Sequence, residues 1–408
     1  MVDLRANPLR SLVFACLALF TAAPCPLTHA SQYEQRMGLS HAWTDYPNWE
    51  NAFLSGNGRM GIMVFGNPLE ETVIFNDRGF NLSNGSTRSF ATVSGADLRT
   101  IRDECASGDF ADADNLAATA PQYRGGGDGS RHPGFGMFIS IPPSGEVRDY
   151  SRTCDFRTGE ITVQWGDTRG DWSRKAFVSR ADDVAVQLLT APTSGALSCA
   201  VRLGVSDPMG LPKSMVIKTS AAPAQLAILA RYNPRLDAGY EGTTRVIVTG
   251  GTCTVTNDVL HVDGARALLL LTRTAKYRDH CEAQWGRMGP ALDALPADYT
   301  ALLRRHLAIH QSIYDRVRLD LGATAQERAK TNEELLSEQM ASPNPVPALW
   351  ERIFDAGRYY FLSASGTATP PDLLGIWTAD CRAGWGGYYH LDANLNLQIG
   401  GGNIGDMP

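Results

Sequence analysis

Glu160-Ile161-Thr162-Val163-Gln164-Trp165 alternates polar and apolar side chains. A period of two is that of a half-buried strand, whose successive side chains point to opposite faces. The pattern returns at Asp183 to Leu189, with Val184, Val186 and Leu188 on one face. Arg245 to Val248, Val259 to Val262 and Ala267 to Thr272 read as further strands. Met60 to Phe65 is a short apolar run behind Gly56-Asn57-Gly58-Arg59, and Glu71 to Phe75 alternates weakly. Asn, Asp, Gly and Pro separate these runs, as turns require. Many short strands with little helical periodicity between about residues 40 and 275 predict a large antiparallel sandwich.

The pattern changes near Pro296. Leu303, Leu307, His310, Tyr314 and Val317 follow spacings of four and three, which line one face of a helix. Gln326 to Gln339 is charged and reads as a solvated helix or linker. Ala341-Ser342-Pro343-Asn344-Pro345-Val346-Pro347 breaks it. Trp350, Phe354, Gly357 and Phe361 then make a second apolar stripe. The predicted order is a β-sandwich over 31–295, a helical linker over 296–345 and the start of an all-α domain over 346–408. One or two helices cannot bury their own apolar stripe, so the last region is expected to be truncated.

At the N-terminus, Arg5 and Arg10 precede the apolar run Leu12 to Ala23, and Thr28-His29-Ala30 places small residues before Ser31. This is the layout of a secretory signal peptide over 1–30, so the mature protein is expected to be secreted or periplasmic and not held in a membrane. Six cysteines remain: Cys105, Cys154, Cys199, Cys253, Cys281 and Cys381. Export permits disulfides, and both a bridged framework and free thiols stay open. No C-x-x-C pair is present, so no zinc site and no cofactor is expected. A net charge of -6 supplies no basic face for nucleic acid.

Four blocks now resemble glycoside hydrolase family 95, whose members are chiefly α-L-fucosidases. Trp49-Glu50-Asn51-Ala52-Phe53 with Gly56-Asn57-Gly58-Arg59-Met60-Gly61 is similar to the family's opening signature. Asp149-Tyr150-Ser151-Arg152 with Asp155, then Arg174 to Ser179 and Asp182-Asp183-Val184, resemble its central sandwich strands. Leu303 to Gly322 resembles its linker helix. Arg358-Tyr359-Tyr360-Phe361-Leu362, Pro371 to Trp377 and Asn394-Leu395-Asn396-Leu397-Gln398 resemble the entrance to its catalytic barrel. The resemblance implies an N-terminal antiparallel β super-sandwich, a helical linker, then the start of an all-α (α/α)6 barrel. Two departures mark a divergent subgroup. Ile399-Gly400-Gly401-Gly402 stands where the family runs Met-Asn-Tyr-Trp, and Asn76-Asp77 is followed by Phe80-Asn81-Leu82-Ser83 rather than Leu-Trp-Ser-Gly.

Inverting glycoside hydrolysis uses a general acid on one face of the sugar and an activated water on the other, with carboxyl groups about 6.5–9.5 Å apart. The resemblance implies that Asn394 and Asn396 hold the water. An amide oxygen is too weak a base to act alone and needs a carboxylate partner. Residues i and i+2 point alike only on extended chain, so a loop or extended stretch is expected here. From the residues alone, both amides bonding loop backbone is the plainer account. The resemblance places the general-acid glutamate and the assisting aspartate beyond residue 408, so the chain is expected to carry half a site. His390 and Asp392 are candidates for contacts to sugar hydroxyls. Trp377 and Trp385 are candidates for stacking on a sugar ring, although core packing accounts for Trp377 equally well. Glu351 and Asp355, a helical turn apart, read as a solvated helix face rather than a carboxylate pair. His132, before Pro133, reads as structural, and Gly56 to Arg59 as a turn packing the sandwich on the barrel.

The leading expectation is a secreted glycosidase releasing terminal α-L-fucosyl or α-L-galactosyl residues from an oligosaccharide or polysaccharide. The alternative is a non-catalytic carbohydrate-binding sandwich or inactive fragment. An (α/α)6 phosphorylase shares the domain order but requires a phosphate site, and no phosphate loop is evident.

Overall fold

The stretch Glu160–Trp165 lies in one strand of a nine-stranded sheet that faces a seven-stranded sheet. The computed structural model describes residues 34–37, 49–82, 94–119, 131–193, 195–233, 236–367, 370–381, 387, 389–391 and 393–407. The signal-peptide reading of residues 1–30 and the site readings of Trp385 and Asp392 lie outside the described residues.

The strands are β1 (Glu34–Met37), β2 (Phe53–Gly56), β3 (Met60–Val64), β4 (Glu70–Asp77), β5 (Phe135–Ser140), β6 (Arg148–Asp155), β7 (Glu160–Asp167) and β8 (Gly170–Ser179). They continue with β9 (Val184–Thr190), β10 (Leu197–Gly204), β11 (Val216–Ala222), β12 (Gln225–Asn233), β13 (Leu236–Thr249), β14 (Thr252–Thr256), β15 (Val259–Ala265) and β16 (Ala267–Tyr277). The larger sheet runs β1-β6-β7-β8-β9-β16-β13-β12-β11 and the smaller β14-β15-β10-β5-β4-β3-β2. Neighbouring strands are antiparallel, as the alternation predicts.

Val73, Phe75, Phe135 and Met137 of the smaller sheet share a core with Ile161, Val163, Trp165, Leu226 and Ile228 of the larger one. Strand β9 is buried on both faces. Ala185 and Leu189 enter this core, while Val184 and Val186 join Phe177, Leu271 and Leu302 beneath a helix. One buried charge pair crosses between the sheets. Glu71 accepts the amides of Phe65 at 3.1 Å and Gly66 at 2.9 Å and pairs with Arg174. A buried carboxylate is tolerable only when its oxygens are filled in this way.

The connection from β4 to β5 carries two helices, α1 (Gly95–Ser107) and α2 (Phe110–Thr119), that the periodicity does not predict. The described faces of both are mostly exposed, so no apolar stripe announces them. Their local signals are a capping box between Ser94 and Asp97 and a left-handed Gly108 at φ 86 that ends α1.

After β16 the chain turns helical, with α3 (Gly289–Asp293), α4 (Tyr299–Tyr314), α5 (Ala325–Arg328), α6 (Asn332–Ala341), α7 (Pro347–Ala364) and α8 (Asn394–Gly400). This is a sandwich followed by the start of a helical barrel, the fold class the sequence predicts. Helix α4 lies on the outer face of the larger sheet. It buries Leu302, His306, His310 and Tyr314; His310 and Tyr314 lie on the expected stripe, whereas Leu302 and His306 take the places expected of Leu303 and Leu307. Apolarity misplaced only the first half of the stripe, because His306 is polar by type and Leu303 and Leu307 are not. The charged stretch 326–339 is two short helices, each opened by a capping box: Thr324 with Glu327 and Thr331 with Glu334.

Helix α7 also presents a different face from the one expected. Trp350 and Gly357 are exposed, while Arg352, Asp355, Arg358, Tyr359 and Leu362 are buried. Glu351, expected on a solvated face, is buried as well. It accepts the Leu321 amide at 2.7 Å and pairs with Arg328, which ties α7 to the linker. Arg358 donates to the carbonyls of Tyr314 at 2.8 Å and Val317 at 2.7 Å, so it closes the end of α4.

Candidate functional site

The C-terminus of α7 enters a socket on the sandwich. The last carbonyls of a helix have no partner within it and need donors from elsewhere. Gly58, at φ +87 in the β2–β3 turn, donates its amide to Ser363 O at 2.8 Å. Arg180, just after β8, donates to the carbonyls of Leu362 and Ser365. Arg78, just after β4, donates to Ala364 O at 3.2 Å and Pro370 O at 3.3 Å. Two cations and one amide therefore cap one helix end, where the helix dipole favours positive charge. Burial lowers the Arg180 guanidinium to about 10, and it stays charged at neutral pH. The Gly56–Arg59 turn packs the sandwich on the helical region, as read from sequence.

The segment after the socket lies along the smaller sheet. Trp377 is 5% exposed and sits over Gly56 and Gly61, where any Cβ would meet its ring. Its indole N–H donates to Ser55 O at 3.1 Å. With Ala52, Met63, Phe65, Ile74, Met209 and Ile376 it forms a second core. Of the two accounts of Trp377, core packing is the one this placement supports. Thr378 N donates to Asn76 Oδ1 at 3.1 Å, and Cys381 N to Met209 O at 3.0 Å, so the strap is pinned along its length.

Asp372 is buried against Arg131 of the sandwich, whose Nε donates to Asp372 Oδ2 at 2.6 Å. The Asp372 carbonyl accepts Gln398 Nε2 of α8 at 2.6 Å. Burial raises the Asp372 carboxyl, and the Arg131 charge opposes that rise.

Asn394 and Asn396 stand on helix α8, not on the extended chain expected. Successive residues turn about 100° on a helix, so positions i and i+2 point to nearly opposite sides. The structure therefore does not bring the two amides together, and both are exposed. His390 lies just before α8 at φ 40, and its carbonyl accepts the Leu395 amide at 3.3 Å. The helix wins over extended chain because this carbonyl and Ala393 O, which accepts Leu397 N at 3.0 Å, take up its first amides.

Elsewhere, His132 is fully buried between Pro133 O at 2.8 Å and the Tyr232 hydroxyl at 3.1 Å, and burial lowers it to about 3. That is a structural histidine, as read. Among the described residues these six cysteines form no disulfide. Glu104, Asp109 and Asp112 bring carboxylate oxygens within 4.8 Å of one another on the α1–α2 insertion. Largely exposed acids of this kind do not define a metal site. Sequence reasoning missed Arg78, Arg131, Arg180 and Asp372. Arg131 and Asp372 are separated by 241 positions, and no short motif links residues so far apart.

Residues 42–279 match the glycosyl hydrolase family 65 N-terminal domain, and residues 298–399 match the glycosyl hydrolase family 95 catalytic domain. Residues 42–279 belong to the glycosyl hydrolase family 65 N-terminal domain family, and the chain as a whole is similar to the N-terminal part of glycoside hydrolase family 95 proteins. A probable alpha-fucosidase A of Aspergillus niger is 24% identical over 388 residues, covering 88% of this chain and 47% of the relative. An alpha-L-fucosidase 2 of Arabidopsis thaliana is 24% identical over 387 residues, covering 86% and 45%. The chain thus spans about half the length of the curated relatives it matches. Among solved structures, a putative kojibiose phosphorylase from human microbiome aligns at a TM-score of 0.43 and 8% identity, over 73% of this chain and 40% of its own.

Proposed function

We propose that this protein is the N-terminal part of an exported family 95 glycosidase that removes terminal α-L-fucosyl, or the related α-L-galactosyl, residues from glycans with inversion. One observation carries the reading. The family 95 catalytic match runs through 298–399 and contains Asn394, Asn396 and Gln398 in the order of the family's barrel entrance. The relatives named as α-fucosidases support fucose as the sugar. In this reading a carboxylate outside the 408 residues completes the water site, and partial unwinding of the first turn of α8 brings the two amides to one water. The apolar run Leu12 to Ala23 behind Arg5 and Arg10 supports export.

The test is to express the protein with its downstream coding sequence and offer it α-L-fucosylated and α-L-galactosylated oligosaccharides. Release of the free sugar, first as the inverted anomer by proton NMR, is the expected result, and Asn394→Ala is expected to abolish it. No release from either substrate sinks the proposal. Recovery of a mature N-terminus at Ser31 from the extracellular or periplasmic fraction tests export.

The divergence of Asn394 and Asn396 on α8 favours a second reading for the 408 residues by themselves: a sandwich that binds glycan without hydrolysing it. Calorimetric binding of the same oligosaccharides without turnover separates the two.

A further inference from the structure

We propose that Arg131, a residue of the sandwich, is a positioning residue for Asn394 and sets the rotation of helix α8. The inference rests on the reading of Asn394 as a site residue, but its geometry is independent of any turnover. Arg131 is 4% exposed and donates to Asp372 Oδ2 and to Asp77 O. Asp77 is itself held from three sides, by Arg59 at 2.5 Å, by the Thr274 hydroxyl at 2.7 Å and by the Gly79 amide at 2.8 Å. The guanidinium is therefore fixed to the sandwich before it meets the strap.

On the strap, Asp372 uses every acceptor. Oδ2 takes Arg131, Oδ1 takes the Leu374 amide at 2.9 Å, and its carbonyl takes the Gly375 amide at 2.9 Å and the Gln398 side chain at 2.6 Å. Gly387, at φ +69, lies against the Arg131 side chain, where a Cβ would come within 2.9 Å.

Gln398 follows Asn394 by four positions, so both lie on one face of α8. Anchoring Gln398 fixes the azimuth of Asn394 and leaves Asn396 on the other side. A salt bridge buried this deeply is weak evidence for stability, because desolvation offsets the attraction. Its geometry instead imposes direction: the Arg131 Nε and Nη2 donors converge on Oδ2 and orient Asp372, whose carbonyl in turn orients Gln398.

The experiment is hydrogen–deuterium exchange on the full 408-residue chain in three variants. In Arg131→Gln, amides of 372–377 and 394–400 are expected to exchange at least about tenfold faster, with β12, β13 and β16 unchanged. Arg131→Lys, which keeps the charge and loses the paired donors, is expected to restore 372–377 but not 394–400. Gln398→Leu, at a half-buried position that leaves the buried pair intact, is expected to free 394–400 alone. Unchanged exchange of 394–400 in Gln398→Leu overturns the proposal. So does faster exchange across the whole sandwich in both Arg131 variants, which makes the residue a general stabiliser. If the protein proves to hydrolyse nothing, the exchange result still reads the positioning itself.

Discussion

The amide of Gly58 donates to the carbonyl of Ser363 at 2.8 Å, across 305 positions of sequence from the β2–β3 turn to the end of α7. A side chain cannot be added there. A Cβ on Gly58 would lie 2.1 Å from Ser365 O, and φ +87 is left-handed. Left-handed strain costs about 1–3 kcal/mol, and the backbone clash adds to it. Gly58→Ala is therefore expected to destabilise the chain by about 3 kcal/mol or more in urea unfolding. Gly357→Ala is the control. It lies within α7 with nothing within 4 Å of a Cβ, and is expected to stabilise by about 0.5–1 kcal/mol. Equal effects at the two positions would contradict the socket.

Among the described residues Arg180 has no carboxylate partner; it serves the carbonyls of Leu362 and Ser365. Arg180→Met keeps the aliphatic stem and leaves those carbonyls short of a donor. A loss of about 1.5–3 kcal/mol is expected, the usual worth of hydrogen bonds to a charged group. Arg78→Met is expected to cost less, because that side chain is only half-buried. A neutral Arg180→Met would show that Gly58 and Arg78 suffice to cap the helix end.

Helix α4 is latched by two neutral histidines. His306 accepts the Arg180 amide at Nδ1 and so donates from Nε2 to Thr158 O at 3.0 Å. His310 Nε2 donates to Phe156 O at 2.9 Å. Burial lowers His310 to about 3 and holds His306 well below its ordinary value. Above about pH 6.5 both folded and unfolded rings are neutral and no pH dependence arises. Below it the unfolded rings take up protons that the folded ones refuse, so stability falls with pH until the folded value is reached. Each ring contributes up to about 1.4 kcal/mol per pH unit in that window. His310→Gln is expected to make the loss between pH 6 and about 4 shallower in urea midpoints. An unchanged slope would place the acid sensitivity elsewhere, His132 being the next candidate.

Asp355 has the opposite sign. Burial raises its carboxyl to about 7, and its Oδ1 has no hydrogen-bond partner among the described residues. The folded state therefore holds a proton that the unfolded state releases near pH 4. Stability is expected to fall as pH rises from about 4 to 7 and to stay low above it. Asp355→Asn is expected to unfold at higher urea than the parent at pH 8 and at nearly the same urea at pH 4. A gain of equal size at both pH values would attribute the effect to packing rather than charge.

The fold was legible because β-period patterns are local. Ile161, Val163 and Trp165 alternate in the chain, and each is buried. What lay hidden depends on partners far away or on residues whose type misleads. His306 occupies a core position on α4 beside the expected His310 and Tyr314, and Arg352, Asp355 and Arg358 occupy buried positions on α7, so hydrophobicity marked only part of the α4 stripe and the wrong face of α7. Helices α1 and α2 have mostly exposed described faces and needed their cap, Ser94 to Asp97, to be seen. Of the candidate site, the N-x-N-x-Q order was legible. Its helical conformation was not, because Gln398 meets Asp372 O only after the strap has folded onto the sandwich.

Trp377 offers a decision between core and sugar binding. Trp377→Phe retains most of the ring packing against Gly56 and Gly61 and removes the donor to Ser55 O. A core residue predicts a stability loss of about 1 kcal/mol or more, from the lost hydrogen bond and a small void, with glycan affinity unchanged. A stacking residue predicts weaker glycan binding, because indole presents a larger face to the sugar than phenyl does. With the ring 5% exposed and its N–H bonded, the first outcome is expected, by calorimetry with a fucosylated oligosaccharide beside urea unfolding. The companion Gly61→Ala sharpens the comparison. Its Cβ would lie 2.4 Å from the indole nitrogen, so it displaces Trp377 without altering the indole. If both variants lose stability and neither loses affinity, the tryptophan holds the strap to the sandwich and the sugar lies elsewhere.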